Sequence, residues 1–128
     1  MERAPILVVD DDPDALEIVG TYLEAEGYQV TTATSGREAL SKLEEIRPAL
    51  VLLDVMMPEM DGWEVARVIK NHPEFADTRV VMLTAKSDFT DKQEGLRAGA
   101  DDYIVKPVRL EELGRKVARN LEARRRPT

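Results

Sequence analysis

Three consecutive acids, Asp10-Asp11-Asp12, follow the apolar run Ile6-Leu7-Val8-Val9, and a lone acid, Asp54, ends the run Ala49-Leu50-Val51-Leu52-Leu53. In the same way Thr84 follows Val80-Val81-Met82-Leu83, and Lys106 follows Tyr103-Ile104-Val105. If two of these carboxylates meet at ~4 Å, they repel by about 4 kcal/mol at an effective dielectric near 20, so the site wants a cation. Oxygen ligands with no His or Cys beside them favour Mg²⁺, which keeps waters and takes one or two carboxylates together with phosphate oxygen. An ammonium from Lys106 and a hydroxyl from Thr84 then suit a phosphoryl group on the far side of the metal. A carboxylate oxygen of Asp54 can itself attack phosphorus and form an acyl phosphate.

Such chemistry needs a scaffold that brings four strand ends together. The run before Asp54 lies between Pro48 and Pro58. It is too short for a helix and reads as a strand covered on both faces. In a parallel sheet the carboxyl ends of the strands open onto the binding crevice, which is where these residues stand. The first strand is expected over 5–10 and the first helix over 13–26, with Leu16, Val19 and Leu23 on one face. Asp12 reads as its N-cap, Pro13 as its first position and Gly27 as its stop. A second strand over 28–33 leads to a helix that starts at Ser35 and carries Ala39, Leu40, Leu43 and Ile46.

Asp61-Gly62 opens a third helix with Val65, Val68 and Ile69 inward. A fourth is expected over 88–98, and a last one from Leu110 repeats apolar residues at Leu113, Val117 and Leu121. Five β-α units with short connections imply an α/β fold, a doubly wound parallel sheet of five strands with five helices on its two faces. The fourth helix has only Phe89 and Leu96 as large apolar residues, besides Gly95, and is expected to be the most loosely anchored element.

The chain has 128 residues, 43% of them hydrophobic, enough for one core and too few for two domains. No window is long and apolar enough for a membrane span, and Met1-Glu2-Arg3 does not open a signal peptide. With no cysteine, disulfides and thiolate metal sites are excluded, and a reducing cytoplasmic setting is expected. The net charge of −7 disfavours nucleic acid and anionic lipid as partners. The basic run Arg124-Arg125-Arg126 is read as a helix C-terminus complementing its dipole. His72, in Lys70-Asn71-His72-Pro73, reads as a surface turn residue, not a ligand or phosphodonor. Trp63 and the Met56-Met57 pair read mainly as packing.

Val8-Val9-Asp10-Asp11, Leu52-Leu53-Asp54-Val55-Met56-Met57-Pro58 with Asp61-Gly62, Leu83-Thr84-Ala85 and Tyr103-Ile104-Val105-Lys106-Pro107 together resemble the receiver domain of bacterial two-component response regulators. The resemblance covers about residues 4–122 and implies the flavodoxin-like strand order 2-1-3-4-5. It makes Asp54 the phosphoacceptor, Asp11 a direct Mg²⁺ ligand, Asp10 a ligand through water and the Met56 carbonyl the remaining protein ligand, with Mn²⁺ as a substitute metal. By the same resemblance Lys106 contacts the phosphoryl group, and its bond to Pro107 is cis. Thr84 swings toward the phosphoryl oxygen, and Tyr103 turns inward to alter the face made by the fourth helix, fifth strand and fifth helix. Met56 and Lys86 lie where side chains tune phosphoryl lifetime.

The implied role is a phosphorelay switch, not an enzyme. A histidine kinase or phosphotransfer protein supplies the phosphoryl group, and a downstream target protein or C-terminal output domain reads the result. Direct nucleic-acid or membrane binding is not implied, and a phosphorylation-dependent homodimer is allowed. Residues 1–122 form the expected receiver domain, and 123–128 a basic tail or the start of a linker.

Two other classes compete with this role. An aspartate-nucleophile phosphohydrolase commonly carries a second acid two residues after the nucleophile, where this chain has Met56, and it needs a cap to hold its substrate. A flavin mononucleotide carrier needs a donor-rich phosphate loop after the first strand, where Asp10-Asp11-Asp12 would repel phosphate.

Overall fold

Strand residues here alternate between two cores, and that alternation decides which side chains reach which face of the sheet. The computed structural model describes residues 3–85 and 99–125. Its strands are β1 (Pro5–Val9), β2 (Gln29–Ala33), β3 (Leu50–Asp54), β4 (Arg79–Thr84) and β5 (Asp102–Val105). All neighbouring pairs are parallel, in the order β2-β1-β3-β4-β5. Among the described residues there are four α-helices, not five: α1 (Pro13–Ala25), α2 (Gly36–Ile46), α3 (Gly62–Asn71) and α4 (Leu110–Arg125). The helix expected over 88–98 lies outside the described residues, and α4 is the fifth helix of the sequence reading.

Leu7, Val9, Val51, Leu53, Val80 and Met82 face one core with α2 and α3, which contribute Ala39, Leu43, Trp63, Val65, Ala66 and Ile69. Ile6, Val8, Leu50, Leu52, Val81, Leu83 and Ile104 face the other core with α1 and α4, which contribute Leu16, Val19, Leu23, Leu113, Val117 and Leu121. Every residue of β3 is buried, as expected of a central strand covered on both faces.

Local chemistry starts each helix where the sequence places it. The Asp12 side chain accepts from the Asp14 N–H, with proline in the first turn of α1, and Ser35 caps α2 by accepting from Glu38 N–H. Asp61 and Glu64 form a reciprocal capping box at α3.

Two readings need correction. Val68 is 45% exposed, and the buried stripe of α3 runs through Gly62, Trp63, Val65, Ala66 and Ile69. At ~100° per residue, Val68 lies roughly 130° from the centre of that stripe. Met57 is buried but Met56 is 63% exposed, so only one of the pair belongs to the core. α4 runs as far as Arg125, in keeping with the reading of the arginine run as a helix C-terminus, and Leu121 is its last buried side chain among the described residues.

Candidate functional site

β1 and β3 lie side by side, but their following connections leave toward opposite ends of the sheet, which opens a crevice at their carboxyl ends. Period two puts Asp10 with Ile6 and Val8, Asp54 with Leu50 and Leu52, and Lys106 with Ile104. All three therefore stand on the α1–α4 side of the sheet. One more backbone bond fixes each strand end: Asp10 N–H to Ala33 O, Val55 N–H to Leu83 O and Lys106 N–H to Thr84 O.

Lys106 Nζ donates to Asp54 Oδ1 at 2.6 Å. One carboxylate oxygen from each of Asp10, Asp11 and Asp54 lies within 4.8 Å of the others. Asp10 and Asp54 are buried and Asp11 is exposed, so the cluster has two fixed walls and one open side. The Asp12 N–H donates to Asp10 Oδ1 at 3.0 Å and orients that carboxylate.

These residues open onto a cavity of about 660 Å³ with an apolar wall from Ala15, Ile18, Val19, Met56, Val108 and Leu110. The Lys106–Pro107 bond beside it is cis. Thr84 is buried, one position past Leu83, the register partner of Asp54, and its hydroxyl donates to the Ala85 carbonyl. Tyr103 is half-buried against the α2–α3 core. Lys86 lies outside the described residues. His72 is the C-cap of α3, half-buried, with its ring 4.8 Å from that of Phe75.

The electrostatics match an acidic site short of positive charge. Burial pushes the Asp54 carboxyl up; the hydrogen bond and charge of Lys106 pull it down without cancelling the rise, and Asp11 adds to the rise. Burial likewise raises Asp10, opposed by the Asp12 N–H and reinforced by Asp54. Burial works to lower Lys106, but its hydrogen bond to Asp54 and the surrounding acids outweigh that and raise it, so its ammonium is held firmly. A cation among these oxygens relieves both raised carboxyls.

Gly62 is a site residue that the sequence marked as a helix start and as part of the motif that follows Asp54. A Cβ there would sit 2.3 Å from the Asp54 carbonyl oxygen and 2.9 Å from Val55 Cα. The Gly62 N–H donates to Val55 O at 2.9 Å, so α3 starts directly against the backbone that carries Asp54. The Asp-Gly pair closely following an acid-terminated strand was the available signal.

Fold and site together define a doubly wound α/β domain with an acidic crevice and a lysine at its topological switch point. The family model of the response regulator receiver domain matches residues 6–118, and the chain belongs to that family. It is 46% identical over 121 residues to the DNA-binding response regulator MtrA of Mycolicibacterium smegmatis, covering 93% of this chain and 51% of the relative. The chain thus spans about half the length of the curated relatives it matches.

Among solved structures, the signal receiver domain of a signal transduction histidine kinase from Syntrophus aciditrophicus superposes with a TM-score of 0.90 at 39% identity, over 98% of this chain and 95% of that one. The chemotaxis protein CheY4 of Vibrio cholerae gives 0.87 at 36% identity, over 92% and 98%.

Proposed function

We propose that this receiver domain works as a phosphoacceptor switch in two-component signalling, with Asp54 as the acceptor. A carboxylate oxygen of Asp54 attacks phosphorus and forms the P–O bond of an acyl phosphate. The P–N bond to a donor phosphohistidine breaks, and the imidazole leaves with that electron pair. A histidine kinase or phosphotransfer protein supplies the donor, and a target protein or a C-terminal output domain reads the product. Residues 1–122 carry this chemistry, with 123–128 leading into a tail or linker. The observation that carries the reading is the 2.6 Å contact between Lys106 Nζ and Asp54 Oδ1 inside a group of three converging carboxylates.

The donor set suits a hard divalent cation, Mg²⁺ or Mn²⁺, because every carboxylate offers oxygen and two of them are raised by burial. Asp11 and Asp54 would hold it directly with the Met56 carbonyl, and Asp10 through water. When bound, the metal supplies positive charge to the phosphoryl oxygens during in-line transfer. Lys106 supplies a second positive charge and keeps its proton throughout. Thr84 turns its hydroxyl from Ala85 O toward the new phosphoryl group, and Tyr103 follows, changing the surface around β5 and α4. Exposed Met56, with Lys86, tunes how long the phosphoryl group lasts. The domain assists its own phosphorylation and dephosphorylation but turns over no separate substrate.

The supporting experiment is incubation with acetyl phosphate and Mg²⁺, followed by intact mass. One phosphoryl group is expected, lost with chelator and absent in Asp54→Asn. Undiminished labelling of that variant would place the chemistry elsewhere.

A further inference from the structure

The connection between β3 and α3 follows directly on Asp54 and carries the Met56 carbonyl. Its two ends are fixed by backbone bonds, Val55 N–H to Leu83 O at 3.1 Å and Gly62 N–H to Val55 O at 2.9 Å. Between them the Met60 N–H donates to Pro58 O at 2.8 Å, and Glu59 stands in the left-handed region with φ +69°. A residue other than glycine keeps that backbone only where its surroundings impose it.

The surroundings that impose it include a notch at the start of α2. Gly36, the first residue of that helix, is buried, and a Cβ there would meet Met60 Cγ and the Met60 carbonyl oxygen at 3.2 Å each and Val65 Cγ2 at 2.6 Å. Val65 is fully buried in the α2–α3 core and has no room to give way. The lack of a side chain at position 36 is therefore what admits Met60, which is half-buried and packs against the same core. The notch is itself held firmly: Ser35 Oγ accepts from the Glu38 N–H at 3.1 Å, and the Thr34 N–H donates to Glu38 Oε1 at 2.6 Å. Met60 thus ties a fixed helix start to the connection, four residues after Met56.

We infer that Gly36 and Met60 are positioning residues of the cation site: Met60, plugged into the notch at Gly36, holds the β3–α3 connection in the shape that presents the Met56 carbonyl. Neither residue lines the acidic cavity, so their effect passes through the backbone between 56 and 60. The inference rests on the reading above, in which Asp11, Asp54 and the Met56 carbonyl hold a divalent cation. It gives that carbonyl an anchor on the α2 side of the sheet.

The test uses the full chain with Mn²⁺ alone as the probe, bound ion being measured from the loss of the free-ion electron paramagnetic resonance signal. Met60→Ala should weaken Mn²⁺ binding by about tenfold or more, the scale seen when the support behind a metal ligand is removed. Met60→Leu, which refills most of the notch, should stay near the wild type. Gly36→Ala, which crowds the notch, should weaken binding too, and Met60→Ala keeps the test open where that chain does not fold. Labelling with acetyl phosphate separates binding from chemistry: Met60→Ala should need more Mg²⁺ to reach its full rate, and that full rate should equal the wild-type value.

A residue that only filled space would lower the melting temperature without moving Mn²⁺ affinity, as is expected of Ile69→Val in the same core. Met60→Ala that binds Mn²⁺ as tightly as the wild type overturns the inference, as does an Ile69→Val that loses as much affinity as Met60→Ala. A wild type that binds no Mn²⁺ and takes no label would instead sink the phosphoacceptor reading, and the anchor with it.

Discussion

Asp10 and Asp54 are costly residues. Both are buried with carboxyls raised above the ordinary range, chiefly by burial. For an acid whose folded pKa is raised, the stabilising contribution is present below the unfolded value and lost as pH rises through the folded one, so at neutral pH the ionised group works against the fold. Asp10→Asn should therefore raise stability in the presence of chelator, by about 0.5–2 kcal/mol, the usual gain of a single stabilising substitution. Thermal melts at pH 7 check this. Mg²⁺ should stabilise the wild type more than the variant. A variant less stable than wild type under chelation would contradict the electrostatic reading.

Asp102 behaves in the opposite sense. Burial pushes its carboxyl up, but hydrogen bonds from Asn120, the Tyr103 N–H and Arg119, together with the charge of Lys116, outweigh that and hold it below the usual value. Its contribution is present above the unfolded pKa, about 4, and is lost as pH falls through the lower folded value. Asp102→Asn should be less stable than wild type near pH 7, with the gap closing on acidification below pH ~4. Denaturant titrations across that range would show a constant gap if the bonds to Asp102 contributed nothing.

At the scale of elements, the strands were legible because each is a short apolar run ending in a residue of different chemistry. The reading over 28–33 and the observed Gln29–Ala33 differ only at one end. The caps were legible too, since Asp12-Pro13, Ser35 and Asp61-Gly62 act on backbone groups within a few residues. Period-two counting along the strands would also have separated Asp10, Asp54 and Lys106 from Tyr103, from sequence alone.

Long-range polar contacts leave no such trace. Lys70 of α3 donates to Asp101, which accepts from the Val80 N–H and pairs with Arg79; Arg79 donates to buried Asn120, which in turn donates to Asp102. These partners lie far apart in the chain, and no periodicity marks them. Val68 was misplaced for a nearer reason: an apolar residue at helical spacing looks inward until the stripe's centre is known.

Gly62 gives the sharpest prediction about an element. Gly62→Ala puts a methyl 2.3 Å from the Asp54 carbonyl oxygen, so α3 or the end of β3 must shift. The expected cost is about 1–3 kcal/mol, as for other overpacked sites, together with slower labelling of Asp54. Gly20→Ala is the control. Its added carbon would meet Val30 at an ordinary 3.6 Å, and it lies within α1, where alanine is the better helix former. Equal melting temperatures and labelling rates for the two variants would remove the steric argument.

At the scale of the molecule, the sheet carries Asp10, Asp54 and Lys106 on one face and Tyr103 on the other. A modification must favour one arrangement of the β5 and α4 surface over another, and a partner acts by discriminating between them. Amide exchange of β5 and α4 should change on labelling, while β1 paired with β2 should not. A uniform response would argue against a localised switch. The relatives carry this domain in more than one setting, one a DNA-binding regulator and another a histidine kinase, so the shared part is the switch and not its output. None of the helices among the described residues is long and apolar enough to cross a membrane.

The most direct measurement is chemical trapping of the modified residue. Protein treated with acetyl phosphate and Mg²⁺ is reduced with borohydride, which converts an aspartyl phosphate to homoserine, and the peptides are then sequenced by mass spectrometry. Homoserine at position 54 alone is expected. Homoserine at position 10 or 11, or a borohydride-resistant phosphoester on a serine or threonine, would contradict the assignment of Asp54 as the acceptor.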